Sequence, residues 1–236
     1  MRRFRMTFGL AAVVGTLAVT AAPAVAHEFI ASSVGALKGV GVGEQYFHFG
    51  PFKITCLGAK SEGNITATVS PKLFVQTKFK ECTFPTYPSA GNKEDVIYLR
   101  AKFLTPVDFE YHAGGAIESG SENEEEEKLL GGTIELKLQA AKCIIAWPEQ
   151  IFPARAKNPE GEFPAATYSN EEVATKKLKE FPSGFRRRVL ISNELKQISY
   201  ELLEGQCEGF TKTEGKVAGY TGKLREERTD GSLEFH

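Results

Sequence analysis

The sequence lacks the motifs that mark most familiar catalytic sites. It has no G-x-S-x-G, S-x-x-K or H-E-x-x-H pattern, so serine-hydrolase, β-lactamase and zinc-protease chemistry leave no local signature. The glycine-rich stretch GVGVGEQ at 39–45 leads into a strand-like segment instead of a helix, which excludes a phosphate loop. From these absences we expect a protein that is not an enzyme and that needs no cofactor.

Positive charge is not in excess either. The chain has 29 lysines and arginines against 30 acidic residues, a formal net charge of −1. Without residues 1–26 the chain loses three arginines and no acid, which leaves 26 basic residues and a charge of −4. A mildly acidic domain has no electrostatic attraction for nucleic acid, so we expect no nucleic-acid partner.

Long apolar runs are absent beyond the N-terminus. Three arginines in the first five residues precede an apolar stretch over 6–19, and the segment ends in Ala24-Val25-Ala26, the A-x-A pattern of a signal-peptidase site. The stretch is shorter than the roughly 20 residues that a membrane-spanning helix needs. We therefore predict a signal peptide over 1–26, cleavage after Ala26, no transmembrane segment, and a single domain over 27–236 that is secreted or held at the cell envelope.

Cysteine is scarce, with four residues that are all far apart in sequence. This spacing disfavours zinc, and an even number in an oxidising compartment predicts two disulfides. Cys56 and Cys207 begin similar segments, CLGAKSEGNIT and CEGFTKTEGKVA, whereas Cys82 and Cys143 end strand-like segments. The pattern favours the bonds Cys56–Cys82 and Cys143–Cys207 within two related halves, although four cysteines also allow two other pairings.

One detail conflicts with the first of these bonds. Cys56 has the same alternation phase as the apolar Ile54, whereas Cys82 has the phase of the polar Lys78 and Lys80. Pairing the two cysteines on one face requires a bulge near Glu81 that turns the strand inward.

Alternation of apolar and polar residues dominates the remainder of the chain. It occurs in NITATVS, VIYLRAKF, VDFEYH, TIELKLQA and QISYELL, and it is typical of antiparallel strands with one dry and one wet face. We expect an all-β fold, a single antiparallel β-sandwich with a barrel as the alternative. Irregular loops are predicted at about 114–131, which is rich in glutamate, and at about 148–168, which is rich in proline.

At most one short helix is predicted, near 170–181. In SNEEVATKKLKEFP, Ser169 can cap a helix, Glu172 completes an S-x-x-E capping box, and Pro182 ends it.

Three groups of residues are candidates for binding. Cleavage after Ala26 would expose His27 at the N-terminus, where its amine and ring nitrogen could bind copper together with His48 or His112, as in the copper-dependent polysaccharide monooxygenases. In the run GFRRRV at 184–189, a strand would point two arginines one way and the third the other way, so that the pair could form an anion site or could face solvent or glutamates. Strand aromatics such as Tyr46 and Tyr98 could also form a platform for sugar stacking, or ordinary cross-strand pairs.

The order of four segments gives the chain a resemblance to a known group. CLGAKSEG, KLFVQTKFKEC, LQAAKCIIAWP and CEGFTKTEGKVAGYTG cover most of residues 56–222. In this order they resemble a broad group of uncharacterised secreted, cysteine-containing proteins of soil actinobacteria. The resemblance implies an exported all-β domain and supplies no activity and no functional residues.

The function predicted from the sequence is accordingly that of a non-catalytic domain of the cell envelope or exterior, with a binding or structural role. Two alternatives remain: a module that binds cell-wall or extracellular polysaccharide, and a copper-dependent polysaccharide monooxygenase that uses His27.

Overall fold

The structure is a computed structural model that describes residues 27–49, 52–86, 96–114, 117–120, 130–137, 142–152, 156–158, 161–163, 165–174, 185–205 and 218–236. Within these ranges every regular element is a strand and every strand pair is antiparallel, so the predicted all-β class is confirmed. The predicted signal peptide at 1–26 lies outside the described residues. The described part contains no helix with the length and apolar character that a bilayer span requires.

The strands are β1 (Phe29–Ala31), β2 (Gly35–Gly41), β3 (Gln45–Phe49), β4 (Phe52–Ile65), β5 (Val69–Ser70), β6 (Lys72–Thr86), β7 (Ile97–Phe103), β8 (Val107–His112), β9 (Ile117–Gly120), β10 (Leu130–Lys137), β11 (Lys142–Pro148), β12 (Gln150–Phe152), β13 (Ala156–Asn158), β14 (Gly161–Phe163), β15 (Ala166–Ala174), β16 (Phe185–Ile198), β17 (Glu201–Gly205), β18 (Ala218–Arg228) and β19 (Leu233–Phe235).

One large sheet contains most of these strands. Its main path runs β15-β16-β18-β2-β4-β6-β7-β10-β11-β17, and β3 extends the line of β2 between β18 and β4. The sheet divides at β6, whose first half pairs with β8 and whose second half pairs with β7. From β8 the second branch continues through β9 to β12. Strands β19, β1 and β5 form a separate three-stranded sheet, and β13 pairs with β14.

The branches fold back over the centre of the sheet and bury one continuous apolar cluster. Phe47 of β3 contacts Phe103 of β7 and Trp147 of β11, with ring centroids 4.9 and 6.3 Å apart. On the other branch, Phe109 of β8 stacks on Tyr220 of β18 at 5.8 Å. These contacts between inward faces of separate branches are consistent with the predicted β-sandwich, and the large sheet does not close into a regular barrel.

The conflict of phase between Cys56 and Cys82 is resolved by a change of face in both strands at once. In β6, Lys80 and Glu81 are both exposed before Cys82 turns inward, and Glu81 has φ of 53°. In β4 the alternation also breaks, between Cys56 and Ala59, with Leu57 exposed. The register is unchanged across the break, so the predicted inward turn near Glu81 occurs without a one-sided bulge.

The predicted helix near 170–181 is wrong for its described part. Residues 166–174 form β15, paired along its whole length with β16, and residues 175–180 lie outside the described residues. Tyr168 packs edge-on against Phe29 at 5.1 Å, and Glu171 lies opposite Arg188. These contacts to distant strands outweigh the local capping signal, which cannot register them.

The two predicted loops also contain strands. The segment at about 114–131 includes β9 and the start of β10, and the segment at about 148–168 includes β12, β13, β14 and the start of β15. Prolines flank β12, β13 and β14, so the sequence of the second segment resembles an irregular loop. Pro148, for example, ends β11, and β12 begins two residues later.

Candidate functional site

An interruption between β2 and β3 creates an open concave site in the described fold. Both strands pair with β18, but four residues lie between Gly41 and Tyr46 where β18 has only two between Thr221 and Leu224. The chain between β2 and β3 thus has two residues more than β18, and residues 42–44 form a bulge that begins after Val42 N donates to Lys223 O at 2.9 Å. Gly43 takes a left-handed φ of 72°, a conformation that favours glycine.

The buried side chain of Gln45 holds this bulge in place. Its Nε2 donates to the carbonyl oxygens of Gly43 and Lys223, at 3.1 and 3.2 Å. Its Oε1 accepts a hydrogen bond from the Tyr220 hydroxyl at 2.8 Å. The amide lies over Gly222, where a Cβ atom would overlap with it. The bulge is therefore fastened to β18 from inside the fold and has a defined shape outside.

Beside the bulge, the outward face of β15, β16 and β18 forms a groove of about 560 Å³. Its lining consists of Val42, Gly43, Glu44, Tyr46, Thr167, Ser192, Asn193, Glu194, Thr221, Gly222 and Lys223. We call this site the bulge groove.

The bulge groove combines one aromatic ring with many hydrogen-bonding groups. Thr167, Ser192 and Thr221 contribute hydroxyls from three neighbouring strands. The Tyr46 hydroxyl donates to the Glu44 carboxylate at 2.5 Å, an interaction that raises the pKa of Tyr46. The amine of Lys53 lies 3.8 Å from the centroid of the Tyr46 ring, so a cation–π contact fixes the ring. Such a lining suits a ligand with both an apolar face and several hydroxyls.

The second predicted aromatic, Tyr98, lies on the same outward face, outside the bulge groove. It is 68% exposed and lies opposite Pro85. Strands β4 and β6 separate β3 from β7, so the two rings are not a cross-strand pair.

The three histidines considered as copper ligands have separate surroundings. The ring of His27 stacks on Phe235, with centroids 5.6 Å apart. His48 projects outward from β3, and burial together with a neighbouring lysine lowers its pKa. Nε2 of His112 lies 3.0 Å from the carboxylate of Glu110. In the described ranges no group of three His, Cys, Asp or Glu side chains could hold a metal ion. The predicted copper site gains no support from this arrangement.

The predicted bond between Cys56 and Cys82 is present and joins directly opposite residues of β4 and β6. Cys143 is also in a disulfide and lies on β11 opposite Gly205 of β17. Its predicted partner, Cys207, lies outside the described residues, so this second pairing stays a prediction. The bond between Cys56 and Cys82 is a structural link between neighbouring strands, and no cysteine in the described part of the chain has a free thiol.

The arginine run divides between two faces as predicted and meets glutamates. Arg186 and Arg188 point outward and pair with Glu227 and Glu171, at 3.0 and 2.8 Å. Arg187 points the other way and pairs with Glu234 at 2.7 Å. These guanidinium groups are engaged within the fold, which disfavours the anion site considered from the sequence.

Sequence reasoning missed two polar side chains that are 0% exposed, Gln45 and Glu226. The phase of AGYTGKLREER, in which Glu226 falls on the same face as Tyr220 and Leu224, was the available signal. Comparison with known protein families, curated proteins and solved structures found no significant match for the chain.

Proposed function

We propose that the chain is a non-catalytic binding domain of the cell envelope or exterior, and that the bulge groove binds a polyhydroxylated ligand, a glycan. The observation that carries this proposal is the lining of the groove. One fixed aromatic ring stands beside three hydroxyls from adjacent strands and beside charged groups of both signs. The disulfide between Cys56 and Cys82 is compatible with an exported protein.

Sugar rings need this combination of groups. Their C–H faces pack against aromatic rings, and their hydroxyls both donate and accept hydrogen bonds. Tyr46 supplies the ring, Ser192 and Thr221 supply hydroxyls, and Lys223 supplies a donor at the same rim. A rigid backbone bulge keeps these groups in place without a ligand, which lowers the entropic cost of binding.

The state of the carboxylates in the groove supports binding without hydrolysis. Glycoside hydrolysis uses two carboxyl groups flanking the bond, one of them protonated and free to act as an acid. In the bulge groove, the Glu44 carboxylate accepts from Tyr46, and the Glu194 carboxylate pairs with Lys196 at 3.0 Å. Both carboxylates are therefore occupied with neighbours.

The proposal is tested by retention of residues 27–236, with disulfides intact, on insoluble peptidoglycan, cellulose, chitin and xylan. We expect retention on at least one of them. Tyr46→Ala should weaken that binding roughly tenfold, which corresponds to the ~1 kcal/mol scale of aromatic contacts. Ser192→Arg should abolish it by filling the groove.

Phe74→Ala is the control, because Phe74 is an aromatic on β6 outside the bulge groove that is 49% exposed and so more accessible than the half-buried Tyr46. Its binding should equal that of the unmodified domain. Failure to bind any of the four polysaccharides, or full binding by Ser192→Arg, would overturn the proposal.

A further inference from the structure

Glu226 is a carboxylic acid placed in the middle of the core. It lies on the inward face of β18, between Val189 of β16 and Gly39 of β2, and its exposed fraction is 0%. Acidic residues are almost never buried to this extent without a cation. The position therefore needs a physical account of its own.

Gly39 provides the space that the side chain occupies. A Cβ atom at position 39 would overlap with both carboxylate oxygens of Glu226 and with the Ser61 hydroxyl. Glu226 thus reaches across β2 to β4, where Ser61 Oγ donates a hydrogen bond to its Oε1. Its Oε2 has no hydrogen-bond partner in the described structure.

Arg228 is the one cation among the described groups that face Glu226, but its guanidinium lies over Gly35 whereas the Glu226 carboxylate lies over Gly39, so the two do not form an ion pair. The groups that face Glu226 are Gly39 on β2, Ser61 on β4, Thr77 on β6, Tyr111 on β8, Val189 and Asn193 on β16, and Tyr220, Leu224 and Arg228 on β18. Arg228 donates through Nη2 to the Ser33 hydroxyl at 2.8 Å and packs over Gly35. The adjacent Glu227 points outward, toward Arg186.

In this setting the neutral acid is favoured over the carboxylate. An ionised carboxylate buried with a single hydroxyl donor loses far more hydration than that bond replaces, whereas the protonated acid carries no charge. Burial accordingly raises the pKa of Glu226 to about 7, and the Ser61 hydrogen bond opposes part of that rise.

We propose that Glu226 is a buried proton-binding site that couples the stability of the domain to external pH, the folded state taking up one proton near neutrality that the unfolded chain does not hold. The sign follows from linkage. The pKa of this carboxyl is 4.5 in the unfolded chain and is raised on folding. Its contribution to stability is therefore complete below pH 4.5 and is lost as pH rises toward 7. The domain is thus most robust on the acidic side.

The test is urea unfolding of the full exported domain, disulfides intact, at pH 5 to 8. The chain has one tryptophan, Trp147, which is buried and serves as the fluorescent probe. We expect the midpoint of the unmodified domain to fall by roughly 1 M over this range. Glu226→Gln should remove most of that fall, because a neutral amide replaces the acid.

Glu227→Gln is the matched control, since it removes the neighbouring carboxylate from the outward face and should keep the fall. The difference between the unmodified domain and Glu226→Gln also cancels the contribution of every titratable group that the two proteins share. The proposal is overturned if Glu226→Gln loses stability with pH as steeply as the unmodified domain does.

A second measurement does not depend on a substitution at position 226. In the unmodified domain labelled with ¹³C at glutamate carboxyl carbons, one signal should titrate near pH 7 while the others titrate at lower pH. Ser61→Ala should move that midpoint upward, because its hydroxyl stabilises the ionised form. Absence of any glutamate signal titrating between pH 6 and 8 would contradict the proposal even if Glu226→Gln failed to fold.

Discussion

Glu171 and Glu226 lie two strands apart in the same sheet and on opposite faces, and the fold treats their charges in opposite ways. Glu171 accepts from Nε of Arg225 at 2.7 Å and from Nε of Arg188 at 2.8 Å. These bonds, the Arg225 bond foremost, lower its pKa. Glu226 has one hydroxyl donor, and burial raises its pKa. The charge state of a glutamate in this sheet is therefore decided by the face on which it lies and not by the residue type.

The two faces also respond to pH in opposite directions. A lowered pKa stabilises the fold above the ordinary range of the group and is lost in acid, whereas a raised pKa costs stability as pH rises. Protonation of Glu171 therefore lowers the free energy of unfolding in strongly acidic solution, and ionisation of Glu226 lowers it at neutral to alkaline pH. Between them we expect a stability maximum near pH 5.

The largest loss of stability is expected when the space over β2 that holds the Glu226 carboxylate is filled. Gly39→Ala places a methyl group on both Glu226 oxygens and Ser61 Oγ, so we expect a loss of roughly 3 kcal/mol in the free energy of unfolding. Urea unfolding followed by Trp147 fluorescence measures it.

Gly58→Ala is the control for Gly39→Ala. It introduces the same methyl group into a strand, but its nearest neighbour would be Lys80 Cβ at 3.9 Å, an ordinary contact. Its stability should stay within about 0.5 kcal/mol of the unmodified domain. Equal losses from the two substitutions would show that the space over Gly39 is not specific.

The outward face should be more tolerant. Glu171→Gln removes the charge that Arg188 and Arg225 share, but exposed ion pairs contribute little, so we expect a loss below about 1 kcal/mol at pH 7. The loss should shrink as pH falls through the lowered pKa of Glu171 and the carboxylate of the unmodified domain takes up a proton, and it should also shrink in 1 M salt. Denaturant unfolding across the acidic range measures the difference, and a loss that does not change with pH or salt would argue against a charge effect.

Much of the fold followed from alternation, where one strand has one wet face. VDFEYH became β8, with Val107, Phe109 and Tyr111 buried as predicted. The first five residues of TIELKLQA lie in β10, with Ile134 and Leu136 buried. In NITATVS the strand instead ends at Ile65 and resumes at Val69. Local alternation cannot detect such breaks, because a partner strand decides where pairing stops.

The helix prediction failed over residues 170–174 for a related reason. The cap and the acidic first turn fit a helix, but these residues pair with β16 as a strand. Glu171 and Tyr168 have partners on β18 and β1, far away in sequence. Propensity is a weak prior against such contacts.

The bulge groove depends on still longer-range information. GVGVGEQ signals a break in the backbone, but only the pairing of β2 and β3 with the same strand β18 turns that break into one wall of a groove. The hydroxyls on the other wall come from residues 167, 192 and 221, whose adjacency no local pattern encodes.

The simultaneous change of face at Leu57 and Glu81 has an evolutionary consequence. Because β4 and β6 reverse their buried sides at the same level with the Cys56–Cys82 bond beside it, a one-residue insertion in either strand would turn apolar residues outward on one side of the bond. Changes in length between the two cysteines should therefore be accepted at residues 66–67, between Ile65 at the end of β4 and Thr68, whose carbonyl oxygen accepts a hydrogen bond from Ala31 N of β1.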